Sequence, residues 1–268
     1  RQMNQRLAQR ISGQEGVYLL DSARWFSSKE SESPKMWYLA KVPFSQDVFK
    51  SAIGDLKAAL RGIRGEARKI VICDLDDTLW GGILGETGWE NLCLGGHDPI
   101  GEALIDFQSE LKALTRRGIV LGIVSKNTEE TALEAIERHP EMVLRKKDFA
   151  GWRINWQDKA QNLTDLLNEL NLGLQSAVFL DDNPVERARV RDACPQVLVP
   201  ELPEDKLLYP KMMRQLDCFD VPFLSEEDRH RTSMYVTERR RRAVSKEKDV
   251  TGKVPSLNDW LPTLEIKV

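Results

Sequence analysis

The chain has 268 residues, 41% of them hydrophobic, and a formal net charge of −3, ample for one α/β domain with attachments and too near neutral to give a general reason to expect nucleic acid. No apolar run approaches the roughly 18 residues that span a bilayer, and the N-terminal Arg-Gln-Met-Asn-Gln-Arg-Leu is not a signal peptide. Four widely spaced cysteines, Cys73, Cys93, Cys194 and Cys218, form no zinc pattern and no disulfide framework, so a reduced, cytoplasmic setting is expected.

Residues 1–50 do not read as a complete domain. Leu7 and Ile11 suggest a short helix, Val17 to Leu20 a short strand, and a polar loop follows at 27–34. Beginning without Met, the chain reads as cut from a longer protein or processed, with this segment the tail of a preceding domain. Phe49, Ile53, Leu56 and Leu60 fall at helical spacing and lead into a strand at 69–73. A Gly-rich flap spans Trp80 to Gly101, and helix 102–117 carries Leu104, Phe107, Leu111 and Leu114 on one face. Strand 119–124, helix 129–138 behind Thr128 as N-cap, and a short strand from Met142 to Leu144 come next. A loop rich in Trp and Arg, helix 159–171 and strand 177–180 follow, then a helix opened by Asn183-Pro184 and a strand at 197–199. Strands separated by single helices predict parallel pairing with right-handed crossovers. Helical pieces near 204–216 and 225–245, a polar linker at 245–256 and a docking segment around Trp260, Leu261 and Leu264 complete the chain. The basic run Arg239 to Arg242 reads as a solvated helix face. The expected division is therefore an N-terminal segment at 1–50, a catalytic domain at 51–235 and a C-terminal helix, linker and docking segment at 236–268.

The chemistry concentrates where strands end. Ile70 to Cys73 suits a strand buried on both faces, yet it runs directly into Asp74 and Asp76, with Thr78 beyond. Carboxylates at the end of a buried strand are costly unless something pairs them. In open α/β sheets the ligand sits beyond the carboxyl ends of the strands. Pooling the residues found there adds Ser125, Lys126 and Asn127 after the second strand, Lys159 at the start of a helix, and Asp181, Asp182 and Asn183 after the strand at 177–180.

Asp-x-Asp-x-Thr, then Ser, then Lys, then an acidic pair resembles, in that order, the four motifs of the haloacid-dehalogenase superfamily of phosphotransferases. The resemblance implies a Rossmann-like three-layer α/β sandwich with a parallel sheet. It implies Asp74 as the nucleophile and Asp76 as the general acid/base. Ser125 would bond a phosphoryl oxygen, with Thr78, Lys126 and Asn127 in the same phosphate-binding set. Lys159 would neutralise charge on Asp74 and the phosphate. Mg2+ would be held by Asp74, Asp76 (through its backbone carbonyl) and Asp181, with Asp182 either a further ligand or an outer partner. The gaps at 78–102 and 127–159 leave room for a minimal flap and no folded cap domain, so an open site and a macromolecular substrate are expected.

Residues 74–86 (Asp-Leu-Asp-Asp-Thr-Leu-Trp-Gly-Gly-Ile-Leu-Gly-Glu) are more specific than that general pattern, as are Ser-Lys-Asn at 125–127, Arg-Ile-Asn-Trp-Gln-Asp-Lys at 153–159 and Phe-Leu-Asp-Asp-Asn-Pro-Val-Glu-Arg at 179–187. Together they resemble the FkbH-like proteins and domains of polyketide pathways, over about residues 36–235. The resemblance implies transfer of a glyceryl or related three-carbon hydroxyacyl unit from 1,3-bisphosphoglycerate to the phosphopantetheine thiol of an acyl carrier protein, with dephosphorylation, as part of a multidomain synthase. It also implies a cysteine that holds the acyl group. Cys73 is the first candidate, although strand alternation also reads it as a core residue, and Cys93 in the flap is the second. Cys194 and Cys218 read as structural. Lys126, Arg153 and Arg187 are candidates to hold a second phosphate or carboxylate, and Arg187 reads equally as a surface residue. Two other readings stand beside this one: a Mg2+-dependent phosphatase acting on a phosphoprotein or small phosphate ester, and a non-enzymatic docking module, against which the complete motif set argues.

Overall fold

The computed structural model describes residues 2–11, 14, 17, 19–26, 31–221, 230–231, 234–239 and 241. The expected linker at 245–256 and docking segment near Trp260 lie outside the described residues. The chain divides into two compact units, one of residues 1–67 with 217–223 and the other of residues 68–216 with 224–268. The first division thus falls after Ala67, whereas the sequence suggested one at residue 50. No helix among the described residues is long and apolar enough to cross a membrane.

The first unit is helical: α1 (Gln2–Ile11), α2 (Pro34–Ala40) and α3 (Gln46–Arg64). Helix α2, not anticipated from the sequence, begins where the Ser33 hydroxyl accepts from the Met36 backbone N–H at 3.3 Å, with Pro34 in the first turn. The strand expected at Val17 to Leu20 is absent: its described residues 17, 19 and 20 have no regular structure. Helix α3 forms as expected, but its apolar stripe is not the buried one. Phe49, Ile53, Leu56 and Leu60 are 43–52% exposed, and α3 buries Val48, Ala58 and Ala59 instead. The turn Ser22–Phe26 is tied to α3 by the Trp25 indole, which donates to Asp55 at 2.8 Å.

The second unit holds four parallel strands in the order β3-β2-β1-β4: β1 (Ile70–Cys73), β2 (Val120–Ser125), β3 (Phe149–Ile154) and β4 (Ala177–Leu180). In chain order the helices are α4 (Leu84–Thr87) in the flap, α5 (Pro99–Thr115), α6 (Glu129–Arg138), α7 (Lys159–Glu169), α8 (Pro184–Ala193) and α9 (Tyr209–Gln215). One sheet face presents Ile70, Ile72, Val120, Val124 and Phe179 to Leu163, Leu166 and Leu167 of α7 and Val190 of α8. Each leucine so buried contributes about 1.5–3 kcal/mol. Strand alternation turns Val71, Cys73, Leu121 and Ile123 to the opposite face. The buried Leu104, Phe107 and Leu111 of α5 and Ala132 and Ile136 of α6 complete the core.

Three elements differ from expectation. The strand predicted at Met142 to Leu144 is irregular, because the backbone N–H groups of Val143 and Leu144 donate to the buried Gln108 side chain (3.0 and 3.1 Å) instead of to a neighbouring strand. The true third strand is β3, in what read as a Trp- and Arg-rich loop. Residues 197–199 lie extended beside β4 but form only an isolated bridge, Leu198 with Val178. The helix expected at 204–216 is a 3-10 turn, Lys206–Leu208, followed by α9. Of the helix expected at 225–245, residues 230–231, 234–239 and 241 are described and helical.

Candidate active site

Sheet register assembles the site. Cys73 pairs with Leu180 and with Ile123, so Asp74 and Asp181 emerge side by side, next to Ser125 at the end of β2. The Asp74 backbone N–H donates to the Leu180 carbonyl at 2.9 Å, extending the ladder to the first acid. Lys159, first residue of α7 behind the Asp158 cap, is buried at 4% exposure and donates to Asp74 Oδ2 (2.9 Å) and Asp181 Oδ2 (2.6 Å). Burial disfavours its charge, but the two carboxylates outweigh burial and its pKa stands above the usual lysine value.

Asp74, Asp181 and Asp182 each offer a carboxylate oxygen, all within 4.8 Å of one another. Burial, reinforced by Asp74, pushes Asp181 up to about 6 despite Lys159, and burial with Asp74 and Asp77 pushes Asp182 up. One oxygen, Asp74 Oδ1, is buried with no hydrogen-bond partner. A buried orphan acceptor amid three carboxylates costs free energy that a hard cation would offset. The donor set therefore fits Mg2+.

The side chain of Asp76 is turned away from this cluster. Its Oδ1 accepts from the Trp80 indole (2.8 Å) and the Leu84 backbone (3.2 Å), and its Oδ2 from Asn127 (3.1 Å). Burial raises its pKa and these donors oppose the rise. The Asp76 carboxylate is thus engaged outside the cluster of Asp74, Asp181 and Asp182. Asn127 also donates to the Ser125 hydroxyl at 3.2 Å, so Ser125, Asn127 and Asp76 form a chain. Thr78, expected at the phosphate, is fully buried and engaged with Asp182: its hydroxyl donates to Asp182 Oδ1 (3.3 Å) and accepts from the Asp182 backbone (3.1 Å).

The three cations assigned to a second anion are occupied elsewhere. Lys126 pairs with Glu186 at 2.5 Å, and Arg153 with Glu169 at 2.6 Å. Arg187 is not on the surface; it is 6% exposed and donates to the carbonyls of Asp181 (2.8 Å) and Asp182 (2.6 Å).

Among the cysteines, Cys73 takes the core place that strand alternation gave it. Cys73 is fully buried within β1, and burial together with Asp74 drives its pKa well above the thiol range. A thiolate there is strongly disfavoured, which argues against Cys73 as the acyl carrier. Cys93 in the flap is partly exposed and bridges antiparallel to Gly81, and its thiol donates to Asp98 at 3.3 Å. Burial and then Asp98 raise its pKa too. Cys194 and Cys218 are buried.

Between β1 and α5 the chain forms only the flap, and between β2 and β3 only α6 and a 3-10 turn, so no folded cap is present there. At the strand ends Asp74 is 6% exposed and Asp181 is 0% exposed. The flap lies close because Trp80, Leu84, Leu92 and Leu94 are buried. It also crosses α5 tightly at Gly101, where a Cβ would lie 2.4 Å from the Gly95 carbonyl oxygen. Trp80, Gln108 and Arg187 were not anticipated in these supporting roles. The Trp80 indole follows Asp76 by four residues, a one-turn spacing that could have suggested the contact.

No protein-family model matches the chain, and no curated protein matches it. Among solved structures it is similar to the N-terminal part of the protein BF1531 from Bacteroides fragilis, which contains a phosphatase domain and is complexed with Mg. The two are 38% identical with a TM-score of 0.67, over 75% of this chain and 54% of that one, so the chain spans about half the length of this relative. The 3-deoxy-D-manno-octulosonate 8-phosphate phosphatase of Moraxella catarrhalis is more distant, at 22% identity and a TM-score of 0.35, over 55% of this chain and 77% of that one. The hypothetical protein XCC2798 of Xanthomonas campestris is 17% identical with a TM-score of 0.36, over 71% and 93% of the respective chains.

Proposed function

We propose that this chain, whose fold is of the haloacid-dehalogenase type, is a Mg2+-dependent enzyme that removes a phosphoryl group by way of Asp74. The observation that carries this reading is the Asp74 carboxylate, with Oδ2 held by Lys159, Oδ1 buried and unpartnered, and the group clustered with the carboxylates of Asp181 and Asp182. The phosphatase domain and bound Mg of the B. fragilis relative support it. Asp74, Asp181 and Asp182 would hold Mg2+, whose charge allows a phosphate to approach the carboxylates. An Asp74 oxygen attacks phosphorus and the bond to the leaving oxygen breaks, with Asp76 giving that oxygen its proton. Asp76 then takes a proton from the water that attacks phosphorus, which frees inorganic phosphate and restores Asp74. Lys159 keeps a fixed positive charge against the aspartyl phosphate and spares the site any reorganisation.

The finer reading is that the phosphoryl group belongs to a glyceryl unit, or another three-carbon hydroxyacyl unit, donated by 1,3-bisphosphoglycerate to an acyl carrier protein. The residue runs 74–86, 125–127, 153–159 and 179–187 support it. The raised pKa values at Cys73 and Cys93 favour direct attack by the carrier's phosphopantetheine thiolate on the acyl carbon, expelling inorganic phosphate, before Asp74 takes the remaining phosphate ester. The observation that bears on the alternative, hydrolysis of a phosphoprotein or simple phosphate ester, is that the three cations read as holding a second anion, Lys126, Arg153 and Arg187, are each engaged with other groups. Intact-mass spectrometry of a carrier protein incubated with the chain, Mg2+ and 1,3-bisphosphoglycerate separates the two. A glyceryl adduct on the carrier supports the finer reading. Release of phosphate from simple esters with an unmodified carrier supports the alternative.

A further inference from the structure

We propose that Arg187 is a positioning residue that fixes the loop carrying Asp181 and Asp182, and that Glu201 holds Arg187 in turn; the proposal rests on the Mg2+ reading above. An arginine is an unfavourable choice at this place. Asn183 caps α8 and Pro184 occupies its first turn, so Arg187 sits one turn from the helix N-terminus, where the backbone dipole disfavours a cation. Burying a guanidinium adds a desolvation cost. Both costs are met by what the side chain touches. Nη1 donates to the Asp181 carbonyl at 2.8 Å and the Asp182 carbonyl at 2.6 Å, and Nε and Nη2 fork onto Glu201 Oε2 at 3.2 and 2.9 Å. Glu201 is fixed from its other side by Arg191, which lies 2.5 Å from Oε1 and donates to the Val199 carbonyl at 2.8 Å.

Tying down two successive carbonyls sets the direction of both peptide planes, and with them the directions in which the two aspartates leave the chain. The remaining freedom of each carboxylate is removed locally. The Asn183 backbone donates to Asp181 Oδ1 at 2.9 Å, and the Thr78 hydroxyl to Asp182 at 3.3 Å. Arg187 holds the two main-chain carbonyls, and the Thr78 hydroxyl accepts from the Asp182 backbone N–H at 3.1 Å, so the peptide between the two aspartates is held at both ends. It touches no carboxylate of the cluster and no reacting atom. It is placed to preserve the spacing of three like charges that would relax apart without a cation.

The test is Mg2+ binding to the full chain by calorimetry, which reads the loop without reference to turnover. Arg187→Lys keeps the charge but cannot bridge two carbonyls and a carboxylate at once. Loss of an outer partner of this kind weakens metal binding by about 10–100-fold, and that loss is expected here, with phosphate release recovering as Mg2+ is raised. A merely structural role would lower the melting temperature and leave Mg2+ affinity at the wild-type value, and that result overturns the proposal. If Arg187→Lys does not fold, Glu201→Gln carries the test, because its side chain is 67% exposed. Weaker Mg2+ binding in Glu201→Gln supports the clamp, and unchanged binding refutes it. Failure of the wild-type chain to bind Mg2+ overturns the metal reading itself and is distinguished from both.

Discussion

The Lys159 ammonium donates to Oδ2 of Asp74 at 2.9 Å and leaves Oδ1 of the same carboxylate buried without a partner. The pair is thus only half satisfied, and the carboxylate belongs to a cluster with two further acids, Asp181 and Asp182. Breaking a buried pair by removing one partner costs about 3–5 kcal/mol. Lys159→Met should therefore destabilise the metal-free chain by about that amount, and Mg2+ should restore part of the loss by neutralising the same carboxylates. Urea unfolding with and without Mg2+ checks this; an equal loss in both conditions would show that the lysine is not balancing the acid cluster.

Asp76 depends on Trp80. The fully buried indole supplies one of three donors that hold the Asp76 carboxylate. Trp80→Phe keeps most of the packing and removes that donor. A hydrogen bond to a charged group contributes about 1.5–3 kcal/mol, so the turnover rate should fall by at least about tenfold with Mg2+ affinity unchanged. Turnover at the wild-type rate would mean that the Asp76 orientation held by Trp80 is not the one that matters.

Alkylation of the native chain should distinguish the thiols. Cys73, Cys194 and Cys218 are buried and Cys93 is partly exposed. Iodoacetamide should label Cys93 first, and slowly at neutral pH, because burial and Asp98 hold its proton. Peptide mapping that finds Cys73 labelled first would return it to consideration as the acyl-holding residue.

His139 gives the fold a dependence on acid. It follows α6, is 6% exposed, and its Nδ1 has no hydrogen-bond partner. Burial holds its pKa below the ordinary value, with the Leu92 backbone opposing. The unfolded chain then binds the proton more readily than the native one. Its contribution to stability is full above the unfolded value of about 6.5 and is lost as pH falls below it. Denaturant melts across that range should show a steeper acid-side loss in the wild type than in His139→Gln; parallel curves would remove His139 as the cause.

The clustered acids were legible because they break a rule: four apolar residues buried on both faces run straight into carboxylates, and the same happens after β4. Strand β3 was hidden because it is an edge strand carrying Gly151, Trp152 and Arg153, with Trp152 and Arg153 only partly buried, so neither continuous apolarity nor strict alternation marks it. Met142 to Leu144 looked like a strand for the converse reason, being apolar and buried while Gln108 satisfies its backbone. The stripe on α3 has correct helical spacing, yet spacing alone does not say which face a neighbour covers. Arg187 was hard to find by pairing charges, since it bonds two main-chain carbonyls and its carboxylate partner, Glu201, lies 14 residues along the chain. Thr78, read as a phosphate ligand, is fully buried and bonded to Asp182.

The most direct test of the Asp74 assignment is to trap the aspartyl phosphate. The chain, Mg2+ and a phosphate ester such as p-nitrophenyl phosphate are mixed, quenched in acid during turnover and reduced with borohydride, which converts an acyl phosphate of aspartate to homoserine. Peptide mass spectrometry should find homoserine at position 74, and none there when substrate is omitted or in Asp74→Asn. Turnover with Asp74 recovered intact, or undiminished phosphate release by Asp74→Asn, would contradict the account.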